Sequence, residues 1–271
     1  MFRLLLTGFS CALLLACASP APVPTEDALD ADATDSSATA IEVPERPFPD
    51  DSIYPLLLAE FALRRRAYDV ALEQYLEQAP RLRDAGVSEH TTHLAQFMGK
   101  EDTALASVQL WIELEPDNAE ANNTLAILLI RQGRATEAVP YMAKLASLGE
   151  DVNFPALLSG FNELGPSQRE SLLLGINKLA QDYPDDTQLL LTQAMVFAEQ
   201  EQLDPALDTL ERLIELEPNQ SQAAMLEARI LLAKQSPKPY ARLEKVLAAN
   251  PKDTQVRLQY ARLLTATDME A

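Results

Sequence analysis

Leu114–Met142, LEPDNAEANNTLAILLIRQGRATEAVPYM, decides how the rest of the chain is read. Pro116 closes one helix, since its ring disfavours a helical residue before it. After Asp117 and Asn118 the chain starts a helix with small Ala121 and Ala126 spaced for close packing. Gln132-Gly133-Arg134 makes a turn, and a second helix brings Ala138 to where another backbone must come near. A helix–turn–helix unit this short cannot bury its own apolar face, so it needs copies stacked on either side.

The copies are found by counting. Pro184 to Pro218 is 34 residues, Pro116 to Pro184 is 68, twice that, and Pro218 to Pro251 is 33. The packing alanines keep the same step: Ala104 to Ala138 is 34 and Ala138 to Ala206 is 68. The eighth position of each unit, where the two helices touch, reads Ala59, Thr92, Ala126, Gly160, Ala194, Ala228 and Ala261. A generic bundle has no reason to hold so constant a period. Helices are expected over 52–66, 68–83, 89–98, 101–114, 154–164, 168–182, 187–200, 204–216, 222–234, 239–249 and 254–267, besides the two in the opening stretch. Ser52 is expected to cap the first of them.

Composition agrees. The chain has 271 residues, 47% of them apolar, enough for a core, with only 8 glycines and 6% aromatics. Ala, Leu, Glu and Gln dominate, which favours helix over sheet. The formal charge of −19 repels nucleic acid and anionic headgroups. It serves solubility, or would steer in a basic partner. Cys11 and Cys17 are the two cysteines and both precede the helices, so no disulfide, thiolate or cysteine metal site is expected in the folded part. His90 and His93 lie three apart on one helix face, with Glu89 beside them. They read as ordinary surface or groove histidines rather than a metal pair. There is no glycine-rich phosphate loop, no HExxH and no GxSxG, and the carboxylates fall on solvated faces and helix starts. The reading is therefore of a protein that is not an enzyme, with no cofactor, metal or small-molecule substrate.

The chain opens with a targeting segment, residues 1–16. Arg3 supplies the positive charge, and Leu4–Leu15 is an apolar run too short to span a bilayer. It ends in Leu14-Leu15-Ala16-Cys17, which resembles the lipobox of bacterial lipoproteins, where Cys17 would become the acylated N-terminus. A plain secretory leader cut after Ala18 is the alternative. With no Asp after the cysteine, the resemblance implies the outer membrane, with more than one acyl chain for stable anchoring. Residues 17–51 read as an acidic tether, rich in Pro, Ala, Asp, Ser and Thr, with Ile41, Val43 and Phe48 its few large apolar residues. Residues 52–271 make the helical domain, about six pairs plus an unpaired last helix.

The period and the small residues match the tetratricopeptide repeat. That resemblance implies an all-α fold, a right-handed solenoid of stacked helical hairpins whose first helices line the concave side. Positions 5, 9 and 12 of each unit would point there: Asn123, Ile127 and Ile130, then Leu157, Phe161 and Leu164, then Leu191, Met195, Met225, Arg229 and Arg262. This is a candidate protein-binding groove with adaptable methionines, and its arginines could clamp a carboxylate. Packing against neighbouring helices is the competing role for the same side chains.

DSIYPLLLAEFALRRRAYDVALEQYLEQA and WIELEPDNAEANNTLAILLIRQGRATEAVPYMAKL, together with the Cys17 motif and the acidic tether, resemble a family of Gram-negative outer-membrane lipoproteins. Its members are adaptors for a periplasmic carboxyl-terminal-processing protease, to which they bring peptidoglycan hydrolases. The resemblance implies protein partners of that kind, a periplasmic location and an acyl-chain link to the membrane. An assembly factor for pili, secretins or outer-membrane proteins is the alternative. The family's arrays are longer, and the last helix here carries Leu258, Leu263 and Leu264, so a further repeat is expected to follow.

Overall fold

In a computed structural model of the chain the described residues are 49–270, with side chains as far as Thr265. The leader, Cys17 and the tether up to residue 48 lie outside them. The described residues form twelve α-helices and three short 3₁₀ turns, with no strand among them.

The helices are α1 (Ile53–Arg64), α2 (Tyr68–Leu82), α3 (Ala85–Phe97), α4 (Glu101–Leu114), α5 (Ala119–Arg131) and α6 (Ala135–Ser147). They continue with α7 (Pro166–Asp182), α8 (Thr187–Glu199), α9 (Leu203–Leu216), α10 (Ser221–Ala233), α11 (Ala241–Ala249) and α12 (Thr254–Glu270). Five hairpins pair α1 with α2, α3 with α4, α5 with α6, α8 with α9 and α10 with α11. α2 lies on α3, α4 on α5 and α9 on α10, while α7 lies against both α6 and α8, so contacts run between neighbouring units. The expected all-α stack of helical hairpins is what the chain adopts. Ala59, Ala104, Ala126, Ala138, Ala194, Ala206 and Ala228 are all buried, where any larger side chain would force the helices apart. Ala261, on the unpaired α12, is exposed.

A comb of capping residues starts α3, α5, α8, α10 and α12. Asp84 Oδ1 accepts from Val87 N, Asn118 Oδ1 from Ala121 N, Asp186 Oδ1 from Leu189 N, Gln220 Oε1 from Ala223 N and Asp253 Oδ1 from Val256 N. Each satisfies one backbone donor that the helix leaves open. The steps between them are 34, 68, 34 and 33 residues, the repeat length again. Asp84 also explains why α3 begins at Ala85 rather than near Glu89.

Two units break the pattern. In the fourth, the place of the cap is taken by Val152, which is buried and caps nothing. The expected helix over 154–164 is instead two 3₁₀ turns, Phe154–Leu158 and Phe161–Glu163. Gly160 stands between them at φ +71°, exposed, and makes no helix contact. In the first unit, a 3₁₀ turn at Asp50–Ser52 puts Ser52 at φ −89° and ψ −20°, already helical, so it does not cap α1. A capping residue needs extended backbone to aim its oxygen at the helix start.

The hairpin turns use left-handed residues: Arg66, Gly99, Gly133, Glu201 and Gln235, with φ between 54° and 72°. The core falls into three groups of side chains. The largest runs from α1 through α7 and takes in Leu189 and Val196 of α8, the second joins α8, α9 and α10, and a small third joins α10, α11 and α12.

Candidate functional site

Asn123 and Ile127 of α5 point outward, and Ile127 is 42% exposed. Ile130, one turn on, is half-buried against the core. Met195 of α8 and Met225 of α10 are half-buried, and Arg229 of α10 is exposed. These six form a broken line of partly apolar side chains with one cation towards the C-terminal side.

Three expected members of that line are not available to a partner. Leu157, Phe161 and Leu191 are 0%, 8% and 1% exposed. Leu157 and Phe161 fall in the 3₁₀ segment, where the 3.6-residue offsets used to place them no longer apply. Arg169 holds Phe161 from both sides: its Nε donates to the Phe161 carbonyl at 3.1 Å and its guanidinium lies 5.6 Å from the ring centre. Leu191 belongs to the core shared by α8, α9 and α10.

The two histidines are occupied by aromatic packing. His90 meets the Tyr75 ring edge-on at 4.9 Å, and His93 meets Trp111 at 5.7 Å while its Nε2 lies 3.1 Å from Glu120 Oε1. Among the described residues no three of His, Cys, Asp and Glu stand together as a metal site. An open polar cleft of about 470 Å³ lies between Asp151, Asn153, Gln188, Glu217 and Asn219. Its lining is carboxamides and carboxylates with the Ser221 hydroxyl, and no cation is among them.

Among the described residues α1 presents a further exposed apolar face, one that the sequence reading did not single out. On α1, Ile53, Tyr54, Leu57 and Phe61 are 51%, 73%, 51% and 59% exposed. The signal was present: Tyr54 and Phe61 occupy places five before and two after Ala59, which are apolar in nearly every unit.

Residues 94–152 and 191–238 match the tetratricopeptide repeat family. These segments coincide with the end of α3 through α6, and with α8 through α10. A TPR repeat-containing protein of Pseudomonas aeruginosa, PA4667, is 35% identical over 231 residues; the match covers 82% of this chain and 39% of that protein. The chain thus spans well under half the length of this relative. Among solved structures, PilW, described as a widely conserved type IV pilus biogenesis factor, aligns at 16% identity over 77% of this chain and 97% of its own, with a TM-score of 0.45. YrrB, described as a TPR protein with an unusual peptide-binding site, aligns at 19% identity over 71% of this chain and 100% of its own, with a TM-score of 0.42. The hairpins in these two segments carry the tetratricopeptide-repeat pattern, and stacks of such repeats commonly serve as protein-binding surfaces.

Proposed function

We propose that the chain is a lipid-anchored scaffold at the periplasmic face of the outer membrane, bringing peptidoglycan hydrolases to a carboxyl-terminal-processing protease. The observation that carries it is Ile127, 42% exposed beside Asn123 on a first helix. Met195, Met225 and Arg229 extend that surface with two adaptable side chains and a cation able to take a carboxylate. The anchor half of the reading stands on Leu14-Leu15-Ala16-Cys17, and the protease half on the likeness of 51–79 and 111–145 to lipoproteins of that role. Tethering raises the local concentration of enzyme and substrate, so modest affinity for each suffices.

The test is photo-crosslinking in cells from residues placed at Ile127 and Met195, with the captured proteins identified by mass spectrometry. The expected catch is the protease or a hydrolase, lost on Ile127→Asp together with a rise in hydrolase level. Capture of a secretin, pilus or barrel-assembly component in their place would overturn the protease reading. Capture unchanged by Ile127→Asp would overturn the assignment of the face. Cys17→Ser should release the protein from the membrane fraction, and retention there would overturn the anchor.

A further inference from the structure

Among the described residues nothing covers, on the first hairpin, the face that later hairpins bury. Five residues before and two after the small contact residue stand Val87 and Leu94 in α3, Ala121 and Leu128 in α5, and Leu189 and Val196 in α8. Ala223 and Ile230 follow in α10, and Val256 and Leu263 in α12. All ten are buried or half-buried, and the helix preceding each packs against it. In α1 the same two places hold Tyr54 and Phe61, and no helix other than α2 packs appreciably on α1 among the described residues.

The charges repeat the pattern. Lys100, just after α3, reaches back 2.6 Å to Asp69 in the first turn of α2. At the end of α5, Arg131 reaches Glu101 at 3.5 Å and Gln132 reaches Asp102 at 3.1 Å, both in the first turn of α4. Lys234 after α10 pairs likewise with Asp204 of α9. α1 runs out into Arg64, Arg65 and Arg66, all exposed and without a carboxylate partner among the described residues. What fits this face is a helix antiparallel to α1, apolar on one side and acidic where it starts.

We propose that this helix is α1 of a second copy of the chain, packed antiparallel about a two-fold axis beside Leu57. The register follows from the numbering. Residues 54 and 61 are symmetric about the point between 57 and 58, and so are 51 and 64, and 50 and 65. One two-fold rotation therefore stacks Tyr54 of each copy on Phe61 of the other and sets Asp50 against Arg65 of the other, while Asp51, already paired with Arg81 of its own chain, comes beside Arg64. The contact is isologous, each copy supplying both the acidic start and the basic end. A helix of another protein would have to bring that pattern, whereas α1 already contains it. The four apolar side chains present roughly 500 Å² per copy. The total of about 1,000 Å² sits just under the range of stable interfaces, so the dimer is weak, with Kd on the order of 10 μM.

This inference is independent of the groove on α5, α8 and α10. Sedimentation of the purified chain from about 1 to 200 μM, spanning that Kd, should show a reversible monomer–dimer equilibrium. Phe61→Asp should weaken it more than tenfold with the helical circular dichroism unchanged, since the residue is exposed. Arg65→Asp should weaken it, and Asp50→Arg in the same chain should restore it. In a Cys11→Ser, Cys17→Ser background, Leu57→Cys should crosslink to a dimer with a short bis-maleimide, while Gln109→Cys on α4 should not. A monomer at every concentration overturns the proposal. So does a dimer indifferent to Phe61→Asp, or a charge swap that fails to restore it.

Discussion

Tyr75 Oη donates a 2.5 Å hydrogen bond to Glu60 Oε1, tying α2 to α1 across the first hairpin. Burial, and next the bond to Glu60, push the Tyr75 hydroxyl well above the ordinary tyrosine range. The folded state therefore holds this proton more tightly than the unfolded chain does. Its contribution is complete below about pH 10, the ordinary tyrosine value, and is lost as pH rises beyond that towards the folded-state value. Thermal melts between pH 8 and 11 should show Tm falling above about pH 10. Tyr75→Phe should start lower and fall less steeply.

Gln78 is fully buried on α2, and neither its Nε2 nor its Oε1 has a hydrogen-bond partner. A buried amide in that state costs about 1–3 kcal/mol. Gln78→Met keeps the length and removes both polar atoms, so the variant should melt roughly 2–4 °C higher for each kcal/mol recovered. A lower Tm would mean that the amide is satisfied in solution.

Gly133 and Glu201 occupy equivalent turns at φ 72° and 58°, and their substitutions should act in opposite directions. A Cβ on Gly133 meets nothing within 4 Å, so Gly133→Ala tests backbone strain alone and should cost about 1 kcal/mol. Glu201→Gly relieves the same strain, offset in part by the entropy glycine loses on folding, and should be neutral to about 1 kcal/mol stabilising. Chemical denaturation of the two variants measures both signs.

Asp186 Oδ1 accepts the Leu189 N–H at 2.8 Å and starts α8 next to the irregular fourth unit. Asp186→Ala should cost about 1 kcal/mol, and Asp186→Asn much less, because the amide oxygen can still accept. Equal losses for the two would mean that charge rather than the hydrogen bond matters at this helix start.

Most of the fold was legible because its determinants are local and repeat. Small residues at Ala104, Ala138 and Ala206, and prolines at Pro116, Pro184 and Pro218, report the unit length directly. The fourth unit was not legible, because Phe154, Leu157 and Phe161 keep an apolar spacing that a helix would also have. The deciding residue was Val152, where the other units carry Asp, Asn or Gln. Of the groove, Asn123, Ile127 and Arg229 were placed on an accessible face by position alone. Leu191 was not, because the same position is outward in one unit and core in another, according to what the neighbouring unit supplies. The exposed face of α1 was hidden for the opposite reason: Tyr54 and Phe61 are ordinary stacking residues until one asks what stacks on them.

The division of the core into three groups has a mechanical consequence. The last group contains little more than Ala224, Ala228, Leu243, Val246 and Val256 beneath a nine-residue α11. Stretched between its ends in an optical trap, the molecule should yield in a series of rips, the α10–α12 segment first at low force and the block from α1 to α7 last. Load would then be absorbed by peeling and re-winding single hairpins while the broad N-terminal block keeps its shape.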